Sequence, residues 1–255
     1  MHKNNVKELI SKKMPVLGCI INGPYPALVE LLGLAGFHFV FIDSEHSSLS
    51  IAEIENLIRA SELRNITPLV RVPDNNPKTI LKVMDIGAMG IIVPDIRNRA
   101  EAEAAVRASK YAPMGERGLA TTRSANFGFG KKGVELFQEA NDETMVIVLI
   151  ESQEGLSHAE EILSVDGVDG CFIGTSDLSM SMGVLGEINH PKVLDAVQNV
   201  LKICLDRNKM AGIVVRAGES PKRLLDMGFS MVFTNIHTLI RSASKSFIEE
   251  ALSNK

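Results

Sequence analysis

Apolar positions in this chain come as short unbroken runs, separated by stretches in which they recur at helical spacing. The clearest run is Met145–Ile150, MVIVLI, which meets a single carboxylate at Glu151. Apolar residues without alternation predict a strand covered on both faces, as in a parallel sheet under helices. A charge at the tip of such a strand stands where the sheet ends and a pocket can begin, or else it caps the helix expected in EGLSHAEEIL.

One construction recurs: helix, glycine near its end, short linker, apolar strand. It appears in LGLAGFHFVFID ending at Asp43, MDIGAMGIIVPD (84–95), VDGVDGCFIGTSD (165–177) and LDMGFSMVFTN (225–235). Glycine ends a helix well because it adopts the left-handed conformation without a Cβ clash. Repetition of this unit predicts parallel β/α architecture. The runs place eight strands, at Val16–Ile21, Phe39–Asp43, Pro68–Val72, Gly90–Pro94, Met145–Glu151, Gly170–Ile173, Gly212–Arg216 and Met231–Thr234. A helical pattern follows each, most clearly over Ile51–Arg64 and Pro191–Arg207.

Eight such units predict an α/β fold of the (β/α)8 TIM-barrel class, one domain over residues 1–255. An open doubly wound sheet is the alternative, but NGPYP at 22–26 is not the Gly-rich phosphate loop that usually follows its first strand. The long connection Tyr111–Lys132 is either a lid over the active site or a solvated insert.

Composition narrows the classes. Hydrophobic residues make up 45% of the chain, enough for a sizeable core. The net charge of −4 and the scattered lysines and arginines argue against nucleic acid and anionic membranes as partners. No apolar run reaches the length of a membrane span, and MHKNNVKELISKKMP lacks the apolar core of a signal peptide, so a cytoplasmic protein is expected. Cys19, Cys171 and Cys204 lack zinc spacing and read as buried thiols.

Barrel enzymes draw catalytic groups from the carboxyl ends of the strands. Those ends carry Asp43, Glu45 and His46, then Arg71, Pro94, Asp95, Glu151, Ser176, Asp177, Arg216, Asn235 and His237. Glu151 and Asp177 fall on neighbouring strands, where two carboxylates repel unless one is protonated or a cation lies between them. Two oxygen ligands with open positions suit Mg2+. Arg71 fits a carboxylate or a developing enolate, or pairs with Asp43 or Glu45. His46, flanked by acids, suits proton transfer, or is a surface histidine. No lysine stands at a strand end, which disfavours an imine mechanism, and no GxSxG motif appears.

FIDSEHSS, LVRV, MDIG, VPDI, the RG after YAPMGE, LIES and VDGVDGCFIGTSDLSMSMG together resemble the HpcH/HpaI aldolase family, class II pyruvate aldolases of the phosphoenolpyruvate/pyruvate barrel superfamily. The resemblance implies His46 as general acid/base, its basicity sharpened by Asp85 with Asp43 assisting. It implies Arg71 as stabiliser of the enolate, Glu151 and Asp177 as ligands of a divalent metal, and the backbone at Ser176–Asp177 as a carboxylate cradle. It also implies an exchanged C-terminal helix, to which His237–Ser253 would correspond, and a homo-oligomer, usually a hexamer.

The chain departs from the family in places. Leu149 replaces a glutamine that touches substrate, Gly-Thr-Ser-Asp replaces Gly-Pro-Ala-Asp, Cys19 and Ile20 stand where an aromatic residue usually lies, and Arg216 replaces a small residue. The expected partners are therefore a 2-keto acid and an aldehyde, with Mg2+ preferred over Mn2+ or Co2+, at a rim (Leu149, Ser176, Arg216) altered from the usual substrates. Two rival readings keep the fold: condensation of acetyl-CoA with oxaloacetate, as in siderophore-type citrate synthesis, and a catalytically silent ligand-sensing barrel.

Overall fold

A computed structural model describes residues 2–131, 133–216 and 218–253 of the chain. The elements run α1 (Asn5–Ser11), β1 (Val16–Ile21), α2 (Pro26–Leu34), β2 (Phe39–Asp43), α3 (Ile51–Leu63), β3 (Thr67–Arg71), α4 (Pro77–Asp85) and β4 (Gly90–Val93). Next come α5 (Arg99–Ser109), a 3-10 turn (Arg123–Gly128), α6 (Val134–Glu143), β5 (Met145–Ile150), α7 (Gln153–Ser157), α8 (Ala159–Leu163) and β6 (Gly170–Ile173). The chain finishes with α9 (Thr175–Ser181), α10 (Pro191–Asp206), β7 (Met210–Val214), α11 (Pro221–Asp226), β8 (Met231–Asn235) and α12 (Ile236–Leu252). All eight strands are parallel and close in sequence order, β8 pairing back onto β1. This is the (β/α)8 barrel.

The repeat has a backbone basis. Gly36, Gly87, Gly167 and Gly228, one from each copy, all have positive φ, between 91° and 110°. Helix starts are equally local in origin: Ser50 and Glu53 form a reciprocal capping box at α3. Around the barrel, one apolar cluster joins the outward faces of the strands to the helices. A second fills the interior with Phe39, Phe41, Phe172 and Phe233, ring centroids 4.6–6.3 Å apart. Glycine faces these rings: a Cβ on Gly18 would stand 2.1 Å from the Phe39 ring, and one on Gly212 2.2 Å from the Phe172 ring.

Three expectations shift. β7 begins at Met210, because Met210 and Ala211 pair with Gly170 and Cys171, and it ends before Arg216. The helix expected in EGLSHAEEIL is two short helices, α7 and α8, separated at His158. The segment 111–131 lies at the opposite end of the barrel from a lid. It follows α5, which has already run down to the amino-terminal face. There Arg117 pairs with Asp85 at 2.8 Å, and Arg123 bonds the Ile86 carbonyl at 3.0 Å and pairs with Glu62. The three cysteines are buried thiols, with Cys171 Sγ 3.4 Å from Cys204 Sγ. Among the described residues no helix is long and apolar enough to cross a membrane.

Candidate active site

Strand alternation decides which side chains line the mouth. On β2 the interior takes Phe39 and Phe41, on β3 Leu69, on β5 Met145, Ile147 and Leu149, and on β7 Met210 and Val214. Continuing each series by two puts Asp43, Arg71, Glu151 and Arg216 inward at the carboxyl end. The apolar layer below them includes Phe41, whose ring centroid is 5.4 Å from Arg71 Cζ, and Leu149, 5% exposed.

Asp43 organises the second strand's end. Its Oδ1 accepts from the backbone N–H of Glu45 and His46, each at 3.1 Å, and so folds the turn that follows β2. The same carboxylate takes Arg71 in a fork, Nε at 3.0 Å and Nη2 at 2.7 Å. Glu45 Oε2 completes the clamp at 3.0 Å from Arg71 Nη1, a contact of charges whose angle is too poor for a hydrogen bond. Burial alone would raise Asp43, but Arg71 and the two backbone donors outweigh it and hold the carboxyl below its ordinary value. Both readings of Arg71 thus coexist: it is paired, and it lines the mouth.

Glu151 is in the opposite electrostatic state. Burial pushes its carboxyl up to about 7, against a 2.9 Å hydrogen bond from the Asp95 N–H; the charges of Asp177 and Glu45 push the same way. Asp95 has φ +49°, a conformation that directs this N–H at Glu151 Oε1. Ser152, accepting from Gly155 N at 3.1 Å, caps α7, so Glu151 is not the cap. Gly174 leaves room for the carboxylate: a Cβ there would lie 2.6 Å from Glu151 Oε2. Asp177 and Ser176 are exposed in the first turn of α9, beyond that glycine. Among the described residues no cluster of three or more His, Cys, Asp or Glu side chains stands ready for a metal. The donor set nevertheless fits a hard cation that brings other oxygens with it: two hard carboxylate donors, Glu151 cradled by a glycine, and a buried Glu45 oxygen without a hydrogen bond nearby.

His46 stands at the rim with its side chain 67% exposed, Nε2 3.7 Å from Glu45 Oε2. Asp43 bonds the backbone of His46, so its part is to position the turn and Arg71. Asp85 is not brought to this mouth. It ends α4 at the amino-terminal face, bound to Arg117. Arg216 donates from Nη2 to Thr175 Oγ1 at 2.6 Å. Sequence reasoning named Glu45 as an alternative partner of Arg71 and passed over Asn22, whose Oδ1 is buried at the end of β1 without a partner. The period-two series through Ile20 was the available signal for Asn22.

A closed parallel barrel whose carboxyl end gathers acids, a clamped guanidinium and an imidazole is an enzyme of the (β/α)8 class. The chain belongs to the HpcH/HpaI aldolase/citrate lyase family, whose model matches residues 17–238. It is 34% identical over 229 residues to a 5-keto-4-deoxy-D-glucarate aldolase of Escherichia coli, covering 90% of this chain and 89% of that one. The structure resembles an HpcH/HpaI aldolase/citrate lyase family protein from Burkholderia cenocepacia, with TM-score 0.91, 28% identity, and coverage of 98% and 99% of the two chains. It also resembles the citrate synthase SbnG, with TM-score 0.87, 29% identity, and 99% of each chain covered.

Proposed function

We propose that this enzyme is a metal-dependent class II aldolase that splits a 4-hydroxy-2-keto acid into pyruvate and an aldehyde, or joins the two. The observation that supports the reading is the gathering of Glu45, Glu151 and Asp177 at one side of the mouth, where burial first, and the neighbouring carboxylates after it, push Glu151 up to about 7. A divalent ion, Mg2+ by preference, would be held by Glu151 and Asp177 and supplies a Lewis-acid charge against the negative charge that develops on the substrate's oxygen. Arg71, fixed by Asp43 and Glu45, offers its guanidinium to that same charge without reorganising. His46 takes the proton of the C4 hydroxyl in cleavage and returns it in synthesis. Leu149 and Phe41 give an apolar floor that keeps water from the carbanion.

The test is a screen of 4-hydroxy-2-keto acids with Mg2+, pyruvate being reported by lactate dehydrogenase. Full turnover in EDTA removes the metal from the account. Exchange of pyruvate's methyl protons in D2O, catalysed by protein plus Mg2+, separates an enzyme from a silent sensor. The likeness to SbnG favours a second reading, condensation of acetyl-CoA with oxaloacetate. Release of free thiol from that mixture discriminates it.

The same reading makes the protein a homo-oligomer, a hexamer by resemblance, with α12 exchanged between copies. Residues 241–253 are exposed, although Phe247, Ile248 and Leu252 sit on one amphipathic helix. A lone helix of this length is marginal in water and gains its stability from packing. Phe247→Glu with Ile248→Glu is expected to yield a smaller species in sedimentation. Asp85 and His46 lie at opposite ends of one barrel, so the pairing implied by the family resemblance requires two copies. Mixing and reassembling His46→Ala and Asp85→Asn proteins then restores activity that neither has alone.

A further inference from the structure

The two carboxylates assigned to the cation come from different elements. Glu151 directly follows β5. Asp177 rides on α9, a helix of seven residues that opens after Gly174 without a side-chain cap. A helix this short is not stable alone, so the place of Asp177 is set by whatever ties α9 down. Leu178 is fully buried and anchors one face in the outer apolar cluster. At the amino end, the Gly174 N–H donates to the Ile150 carbonyl at 3.1 Å, and Thr175 Oγ1 accepts from Arg216. The carboxyl end is tied by two serine hydroxyls.

Ser181, the last residue of α9, accepts from the backbone N–H of Gln153 at 2.9 Å. Gln153 opens α7 just beyond Glu151, and its N–H has no partner inside that helix. The bond therefore joins the segment of one carboxylate directly to the segment of the other. Ser179 has no exposed surface. Its Oγ donates to the Ser176 carbonyl, next to Asp177, at 2.6 Å and accepts from the Gly186 N–H at 3.1 Å. The Val184 N–H reaches the Ser179 carbonyl at 2.9 Å, so the turn after α9 folds back onto this one residue. Without a cation the charges of Glu151 and Asp177 repel each other. A helix held only at its amino end leaves Asp177 free to move away, and an ion then has to draw it back at a cost in affinity. Groups that orient metal ligands from behind typically change affinity by roughly 10–100-fold.

Resting on the metal-dependent reading above, we propose that Ser181 and Ser179 are positioning residues that hold Asp177 where it can share a divalent ion with Glu151. The experiment measures binding of Mn2+, a spectroscopic stand-in for Mg2+, to the full chain without substrate, from the electron paramagnetic resonance signal of the free ion. Ser181→Ala is expected to raise the Kd at least about threefold, and Ser179→Ala with Ser181→Ala at least about tenfold. Ser181→Thr, which keeps the hydroxyl, is expected to bind as the unaltered protein does. In EDTA, Ser181→Ala should melt within about 2 °C of the unaltered protein, since one exposed bond contributes little to the fold. Turnover at saturating Mg2+ is expected to survive Ser181→Ala, because the hydroxyl touches no reacting atom. A smaller rise in Kd for Ser181→Ala overturns the inference, as does a Ser181→Thr protein that binds as weakly as Ser181→Ala. An affinity that falls only together with the melting temperature in EDTA overturns it too. Failure of the underlying reading looks different: the unaltered protein then binds Mn2+ no better than Asp177→Asn does.

Discussion

The two ends of this barrel carry similar residues in different balance. At the amino-terminal face, each guanidinium has its carboxylate: Arg117 with Asp85, Arg123 with Glu62, Arg59 with Glu55. A hollow of about 370 Å³ there is lined by Arg59, Glu62 and Arg123 together with Ser124 and Phe127, and its charges are matched within the chain. At the carboxyl-terminal mouth, Arg71 pairs with Asp43 and Glu45, while among the described residues Glu151 and Asp177 have no cation paired with them. Matched charges hold a fold together. Unmatched charges destabilise it unless something from outside completes them, which is what a binding site does.

The sharpest way to break that contrast is at Glu151. Glu151→Gln is expected to lower turnover roughly a thousandfold, since it removes a metal ligand from the reaction centre. Without metal the same variant is expected to unfold at a higher temperature, by about 1 kcal/mol, because a buried carboxylate repelled by Asp177 and Glu45 is gone. Turnover assays and melting curves in EDTA check the two halves. A variant that is inactive and also destabilised would place Glu151 among structural groups, like those at the far end.

Asp85→Ala probes the matched end. It strands Arg117, whose side chain is 1% exposed and whose Nε already lacks a partner, and should cost about 3 kcal/mol of stability by denaturant unfolding. Adding Arg117→Met is expected to recover much of that loss, because an apolar side chain replaces the stranded charge. If the single variant instead kept its stability and lost activity, the pairing with Arg117 would not be Asp85's main work.

Lys110 sharpens the same comparison through pH. It is buried at the amino-terminal end, donating to the Asn141 and Thr144 carbonyls at 2.7 Å each. Burial lowers its pKa from 10.5 to about 8. The unfolded chain therefore holds this proton more tightly than the folded one. Between pH 8 and 10.5 the folded lysine is neutral while the unfolded one is still charged, so stability gained from this group rises with pH across that window. Urea unfolding of the unaltered protein and Lys110→Met should show the difference between them growing by about 2 kcal/mol from pH 7 to pH 10.

The barrel was legible because its causes are local. Unbroken apolar runs mark strands covered on both faces, and the glycines of the four repeats mark helix ends by a conformation other residues avoid. The mouth residues were legible for the same reason: Glu151 and Asp43 sit at the tips of such runs. Length left segment 111–131 open between a lid and an insert, because length is a property of the chain, whereas the end of the barrel it occupies depends on whether a strand or a helix precedes it. Asp85 took its role from the resemblance alone; it ends a helix at the amino-terminal face of its own chain, a place that no strand-end pattern marks. The sequence offered Asp43 or Glu45 as partner of Arg71; strand pairing, with the turn that Asp43 builds, supplies both at once.

The smallest expected effect is at Asp95, where mouth geometry is held by backbone. Its φ of +49° is left-handed, tolerable for Asp but costly for Ala, which has no side-chain hydrogen bond to compensate. Asp95→Ala should lower stability by about 1 kcal/mol, and Asp95→Gly by less than about 0.5 kcal/mol, since glycine adopts this conformation freely. Both lose the pairing with Arg97, an exposed contact worth little. The difference between the two variants thus isolates the backbone. Its functional counterpart is the N–H bond to Glu151, which opposes protonation of that carboxyl. If the Ala variant turns this N–H away while the Gly variant keeps it, the Ala protein needs more Mg2+ for half-maximal activity at pH 7, by a few-fold. Equal metal requirements in the two variants would show that the left-handed residue serves the chain's path and not the carboxylate.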